Sequence, residues 1–167
     1  MALTNEQLPA LKAAILAETD QTIVDRLAAG NFHGIADWYN ENGTFIVWRT
    51  ILHESEIVSE ESPTGTTWNW TDYINTNVAE KMSWERIFNG TFSINPSLQN
   101  VRTGIADIFS GPQGANQRAH LLAMATRFAT RGEEIYVTGT GTQATPGFLV
   151  VEGNISTHNV TKALALP

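Results

Sequence analysis

The stretch from Ala115 to Gly153 constrains the fold most, because a helical pattern there gives way to a run that cannot stay helical. Leu121, Met124, Ala125 and Phe128 recur at the spacing of a helix face, so residues 115–136 are expected as one long helix. Arg118, Arg127 and Arg131 lie off that apolar stripe. Thr138-Gly139-Thr140-Gly141-Thr142 then breaks the pattern, Pro146-Gly147 follows, and Phe148-Leu149-Val150-Val151 resumes as a short strand. The expected class is mainly α: a helical bundle with a small β-hairpin or short-strand element and an extended Gly/Thr arm.

Capping signals place the helices upstream. Thr4 with Gln7 three residues on resembles a capping box, opening a helix with Leu8, Leu11 and Ile15 inward and its end near Thr19. Asp20 caps a second helix carrying Ile23, Val24, Leu27 and Ala28, stopped by Gly30-Asn31. A third runs from Asn31 to Tyr39, and Asn42-Gly43 reads as a turn. Phe45-Ile46-Val47-Trp48 fits a strand or the start of a buried helix equally well. Ile51–Glu61 reads as a helix or a half-ordered acidic segment, and 62–67 as a loop. Helices are expected from Asn77 to Phe88, ended by Asn89-Gly90, and from Val101 to Phe109 after Asn95-Pro96. Gly111-Pro112 separates the latter from the long helix, Glu152-Gly153 turns the chain, and Ser156 or Thr157 caps a last helix.

With 167 residues the expectation is a single domain. Its blocks are acidic N-terminal helices (1–61), a loop (62–76), central helices (77–137), the arm and short strand (138–155) and a C-terminal helix (156–167). Charged residues make up 16%, against about a quarter in ordinary soluble chains. Charge is depleted at interface cores, so this points toward surface covered by partners. Residues 1–80 hold 12 Asp/Glu and 3 Lys/Arg, a net of −9; residues 81–167 hold 5 and 7, a net of +2. Such a split suits head-to-tail contacts between copies as well as a solvated acidic face. There is no cysteine, which excludes disulfides and thiolate metal sites. No secretory signal and no run of roughly 20 apolar residues is present, so a soluble chain made in the cytoplasm is expected.

Little chemistry is visible. The Gly/Thr run lacks the lysine of a phosphate-binding loop, and it leaves a helix where such a loop would enter one. His33, His53, His120 and His158 are scattered, with no metal-ligand spacing, and no serine sits in a nucleophile elbow. Neither an enzyme nor a cofactor is expected. Trp68, Trp70 and Tyr73 alternate with polar residues as base-stacking aromatics do, but in the acidic half, which favours core or subunit packing. Five Asn-x-Ser/Thr matches, at Asn42, Asn69, Asn89, Asn154 and Asn159, read as chance in a chain rich in Asn and Thr.

Several segments, in order, resemble a family of small tailed-bacteriophage virion proteins encoded among head and tail morphogenesis genes. They are Leu3-Thr4-Asn5-Glu6-Gln7-Leu8 with Leu11-Lys12-Ala13, Trp38-Tyr39-Asn40, Val47-Trp48-Arg49-Thr50, Ile94-Asn95-Pro96 and Asn100-Val101-Arg102-x-Gly104. Ala129-Thr130-Arg131-Gly132-Glu133, Gly139-Thr140-Gly141-Thr142, Pro146 and Val151-Glu152-Gly153 complete the set. The resemblance implies a virion structural protein with no catalytic residues, made in a bacterial host. The expected role is a head-to-tail connector (adaptor) at the neck, ringed with its own copies and bound to portal and tail proteins, without membrane or direct nucleic-acid contact. A tail terminator, a capsid decoration protein and, lower, a DNA-binding packaging factor are the alternatives. The expected interface residues are Arg102, Arg118, Arg127, Arg131, Thr138, Gly139, Thr140, Gly141, Thr142, Pro146, Trp68 and Trp70.

Overall fold

A computed structural model describes residues 3–88 and 92–167, and of Gln113 the backbone alone. The chain is mainly α, with short strands: ten α-helices, one 3-10 turn and three two-stranded sheets among the described residues. It divides into two compact units, Met1–Val47 with Phe128–Pro167, and Trp48–Arg127.

The first unit holds α1 (Leu8–Ala17), α2 (Gln21–Ala28), α3 (Phe32–Tyr39) and most of β1 (Asn42–Trp48). After the second unit, β4 (Thr126–Thr130) leads into α9 (Arg131–Glu134), the hairpin of β5 (Val137–Thr138) and β6 (Phe148–Leu149), and α10 (Thr157–Leu164). Local caps start these helices where the sequence places them. The Asp20 carboxylate accepts the Thr22 N–H at 2.8 Å, Asn31 accepts that of Gly34 at 2.9 Å, and Ser156 that of Asn159 at 3.2 Å. At the N-terminus only half of the capping box forms, the Thr4 N–H donating to Gln7 Oε1 at 2.9 Å. Leu8, Leu11, Ile15, Ile35, Tyr39, Ile155, Val160 and Ala163 close one core. Burial on this scale stabilises by about 25 cal/mol per Å² of apolar surface removed from water.

The second unit holds β2 (Leu52–His53), α4 (Glu54–Ser59), α5 (Trp70–Asn75), α6 (Val78–Phe88), β3 (Ser93–Ile94), α7 (Gln99–Ile108) and α8 (Ala115–Met124). β2 and β3 pair antiparallel, Leu52 opposite Ile94. The core is aromatic. Trp68 lies 5.1 Å from Trp84 and 5.3 Å from Tyr73 between ring centroids, and Trp84 lies 4.7 Å from Phe88 and 5.9 Å from Phe109. Leu52, Ile57, Ile105, Leu121 and Met124 fill the space around them.

Several expectations are corrected. The long helix stops at Met124, and Thr126–Thr130 is a strand paired with β1. The β-branched Thr126 and Thr130 favour that choice. Thr130 then caps a new helix in a box with Glu133, its N–H donating to Glu133 Oε2 at 2.9 Å. Asn42-Gly43 is not a turn but the start of β1. Glycine suits position 43 because a Cβ there would sit 2.1 Å from the Glu134 carboxylate. Phe45–Trp48 resolves to strand. Between Ile51 and Glu61 only Glu54–Ser59 is helical, and Trp70–Asn75 is a helix inside the block read as loop, capped by Asn69. Helix α7 starts two residues earlier than expected, at Gln99. The Asn89-Gly90 stop and the Asn89 sequon lie outside the described residues.

Candidate functional site

The expected interface residues fall into three kinds. Arg102 and Trp68 are buried, each 8% exposed. Arg102 donates from Nη1 to the carbonyls of Pro96 at 2.8 Å and Ser97 at 2.6 Å, and lies over the Trp48 ring at 4.6 Å. Burial holds its guanidinium below the ordinary arginine value. Both offer a partner almost no surface.

A second kind is half-buried and engaged within its own unit. Arg118 donates to the Phe109 carbonyl. Arg131 donates to Glu41 Oε2 at 2.6 Å and to the Trp38 carbonyl at 3.4 Å, and covers the Trp38 ring at 4.1 Å. Arg102, Arg118 and Arg127 belong to the second unit and Arg131 to the first, so the four are not drawn from one unit. The sequence charge split is redistributed as well. The first unit, built from both ends of the chain, carries nine Asp/Glu and four Lys/Arg, net −5; the second carries eight and six, net −2.

The third kind is exposed. Thr138, Gly139, Thr140 and Thr142 are open to solvent, while Gly141 and Pro146 are buried. The segment closes the β5–β6 hairpin, with Val137 opposite Leu149. Strand β1 holds it: the Ile46 N–H donates to the Gly141 carbonyl and the Gly147 N–H to that of Ile46, each at 2.8 Å. Gly141, at φ 66°, lies so close to Phe45 that a Cβ would meet its ring at 2.7 Å.

Trp70 is the outstanding exposed residue of the set, at 55%, and it has companions that sequence reasoning missed. Ile74 (66%), Val78 (71%) and Met82 (52%) follow at intervals of four along α5 and α6, all turned to solvent. The spacing was available in the sequence; which way it faces was not. Phe92, 75% exposed, adopts φ 52°, a left-handed backbone costly for a bulky residue. Trp70 and Phe92 share a cleft of about 330 Å³ with His53, Glu54, Ser55 and Val58. Large apolar surface held open in this way marks interaction sites, and tryptophan is the residue most enriched in their energetic centres.

No protein family, no curated protein and no solved structure matches this chain.

Several other polar groups are explained by the fold, whereas Trp68 Nε1 and Gln117 Oε1 are buried without a hydrogen-bond partner among the described residues. His120 is 1% exposed, its Nδ1 3.0 Å from Thr66 Oγ1 and its Nε2 2.7 Å from the Ile57 carbonyl, so it ties the 62–67 loop and α4 to α8. Glu133, also buried, accepts the Gly153 N–H at 2.9 Å besides closing the Thr130 box. His33 and Asp37 form an exposed pair at 3.4 Å. Among the described residues no three His, Asp or Glu side chains are grouped to hold a metal ion. A cleft of about 350 Å³ in the first unit is lined by Glu18, Trp38, Tyr39, Thr44, Arg131 and Glu134 among others. Burial, with the nearby Glu18 charge, raises the Tyr39 hydroxyl well above the ordinary tyrosine value, so it stays neutral there. Within this cleft the Thr44 hydroxyl donates to Glu134 Oε1 at 3.5 Å.

Proposed function

We propose that the chain is a structural component of a tailed-phage virion, and that within the particle it is a head-to-tail connector assembling with copies of itself. The virion assignment rests on the ordered set of segments from Leu3 to Gly153 that resemble phage morphogenesis proteins. The observation that carries self-assembly is the exposure of Trp70, Ile74, Val78 and Met82, with Trp70 lining the cleft it shares with Phe92. An exposed tryptophan and three more large apolar side chains gain about 25 cal/mol for each Å² a partner covers. In a ring, each copy meets the next through two different faces until the rotation closes. The helices of the first unit act as a small bundle in this reading, and residues 138–147 as an arm whose exposed threonines face a neighbouring subunit.

Imaging purified phage particles that carry a labelled copy of this chain tests the assignment. A single ring of label at the neck is expected. Label spread over the shell would replace the connector with a decoration protein, label at the tail end of the neck would indicate a terminator, and particles lacking the chain would overturn a virion role.

A further inference from the structure

The cleft of about 350 Å³ in the first unit is lined by two carboxylates, Glu18 and Glu134, that enter no ion pair among the described residues. Backbone N–H groups position both. Glu18 Oε1 accepts those of Thr19 at 2.9 Å and Asp20 at 3.1 Å, and Glu134 Oε1 those of Thr44 and Phe45, the latter at 2.7 Å. Oε2 of each is left without a partner among the described residues. Arg131 is the only cation among the described residues that line the cleft, and Glu41 takes its charge at 2.6 Å. Tyr39 is an independent observation. It is 3% exposed and lines the cleft, yet its hydroxyl makes no hydrogen bond among the described residues. Tyr136, by contrast, donates to the Gln7 carbonyl at 2.9 Å. A buried hydroxyl normally has a partner. That of Tyr39 is not among the atoms sealed in the interior without one, so it opens on the cleft.

We propose that this cleft binds an alkylated organic cation, an ammonium or guanidinium group on a hydrocarbon stem such as ends a lysine or arginine side chain. The free Oε2 atoms of Glu18 and Glu134 and the Tyr39 hydroxyl oxygen are acceptors for its N–H groups, and hydrogen bonds of a cation to carboxylates are the strong kind. Ala14, Trp38 and Ile135 are apolar wall for the stem. Other ligands fit less well. An anion would meet two carboxylates, and a hard metal ion takes six or more oxygen ligands, whereas no three His, Asp or Glu side chains are grouped among the described residues. The site lies within one unit and does not depend on the self-assembly proposed above.

The test titrates the full-length chain with butylguanidinium, and with butylurea as its neutral counterpart, while NMR follows the indole N–H of Trp38, the one tryptophan of the first unit. Butylguanidinium is expected to bind with a Kd on the order of 1 mM, as suits a ligand of about eight heavy atoms, and butylurea about 10-fold more weakly. Two variants leave the fold in place, which thermal melting checks. Tyr39→Phe removes only the unpartnered hydroxyl, and Glu18→Gln keeps an oxygen for the Thr19 and Asp20 N–H groups while losing the charge. Each is expected to weaken butylguanidinium about 3- to 10-fold. Equal binding of butylurea, unchanged binding by both variants, or no shift of the Trp38 signal at concentrations well above 1 mM would each overturn the site. A second arm uses an acetylated and amidated Ala-Arg-Ala peptide. Binding as tight as that of butylguanidinium assigns the site to an arginine side chain of a protein partner; binding of butylguanidinium with exclusion of the peptide assigns it to a free organic cation.

Discussion

The guanidinium of Arg131 lies 4.1 Å from the centre of the Trp38 ring, joining the start of α9 to the end of α3 across more than ninety residues of sequence. The same side chain donates to Glu41 at 2.6 Å. Its planar cation serves the stack and the ion pair together, which a lysine cannot do.

Replacing Arg131 with Ala is therefore expected to cost about 1–2 kcal/mol, and Arg131→Lys roughly half as much because the ion pair survives. Urea unfolding of the two variants gives both values. Equal losses would show that the ring contact contributes nothing.

The two tryptophans expected to act together differ in burial, Trp68 being 8% and Trp70 55% exposed. Trp68, packed on Trp84 and Phe109, should cost about 3–5 kcal/mol when cut to Ala. Trp70→Ala should change stability by less than about 0.5 kcal/mol, as at other exposed positions. Thermal melts of both variants decide it, and a large loss at Trp70 would mean its ring is part of the core.

Gly43 and Glu134 form a coupled pair. The Glu134 carboxylate accepts the N–H groups of Thr44 and Phe45, the latter at 2.7 Å, in space that a Cβ at position 43 would occupy. Gly43→Ala is expected to cost about 0.5–1.5 kcal/mol by displacing that carboxylate from two N–H groups. In a Glu134→Ala background the same substitution should cost much less. A double-mutant cycle reads the coupling, and strict additivity would refute it.

Helix starts were legible because their cause is local. Asp20, Asn31 and Ser156 each act on an N–H two or three residues ahead. Asn69 carries the same signal for α5, its carboxamide accepting the Asp72 N–H at 3.1 Å, yet six residues of Trp, Thr, Asp, Tyr, Ile and Asn show too little periodicity to announce a helix. Strand β4 was hidden for the opposite reason. Its partner β1 lies some eighty residues upstream, and the apolar stripe of α8 runs on into it as far as Phe128. The same limit applies to the candidate site. Trp70 stood out as a residue, whereas the exposure of Ile74, Val78, Met82 and Phe92 follows from what the Trp84–Phe109 core leaves outside. The arginines misled because their number suggested a surface face, while the fold uses Arg102, Arg118 and Arg131 to satisfy backbone carbonyls.

Acid should weaken the second unit through Glu56. Burial pushes its carboxyl up, but the ion pair with Arg49 and the His53 N–H at 2.8 Å outweigh burial and hold it below the ordinary value. A folded-state value below the unfolded one stabilises the chain above the unfolded carboxylate range, near pH 4–5. That contribution is lost as pH falls through the folded value. Glu56→Gln should remove about 1 kcal/mol at neutral pH and flatten the decline in stability below about pH 5. Denaturation across pH 3–7 compares the two chains; parallel curves would show that the pair is not a source of acid sensitivity.

Light scattering of the purified chain over a wide range of concentration and salt tests the central claim most directly. The account predicts a discrete oligomer that grows in with concentration and collapses to monomer in Trp70→Arg. A wild-type chain that remains monomeric throughout, or a Trp70→Arg chain that associates as the wild type does, would contradict it.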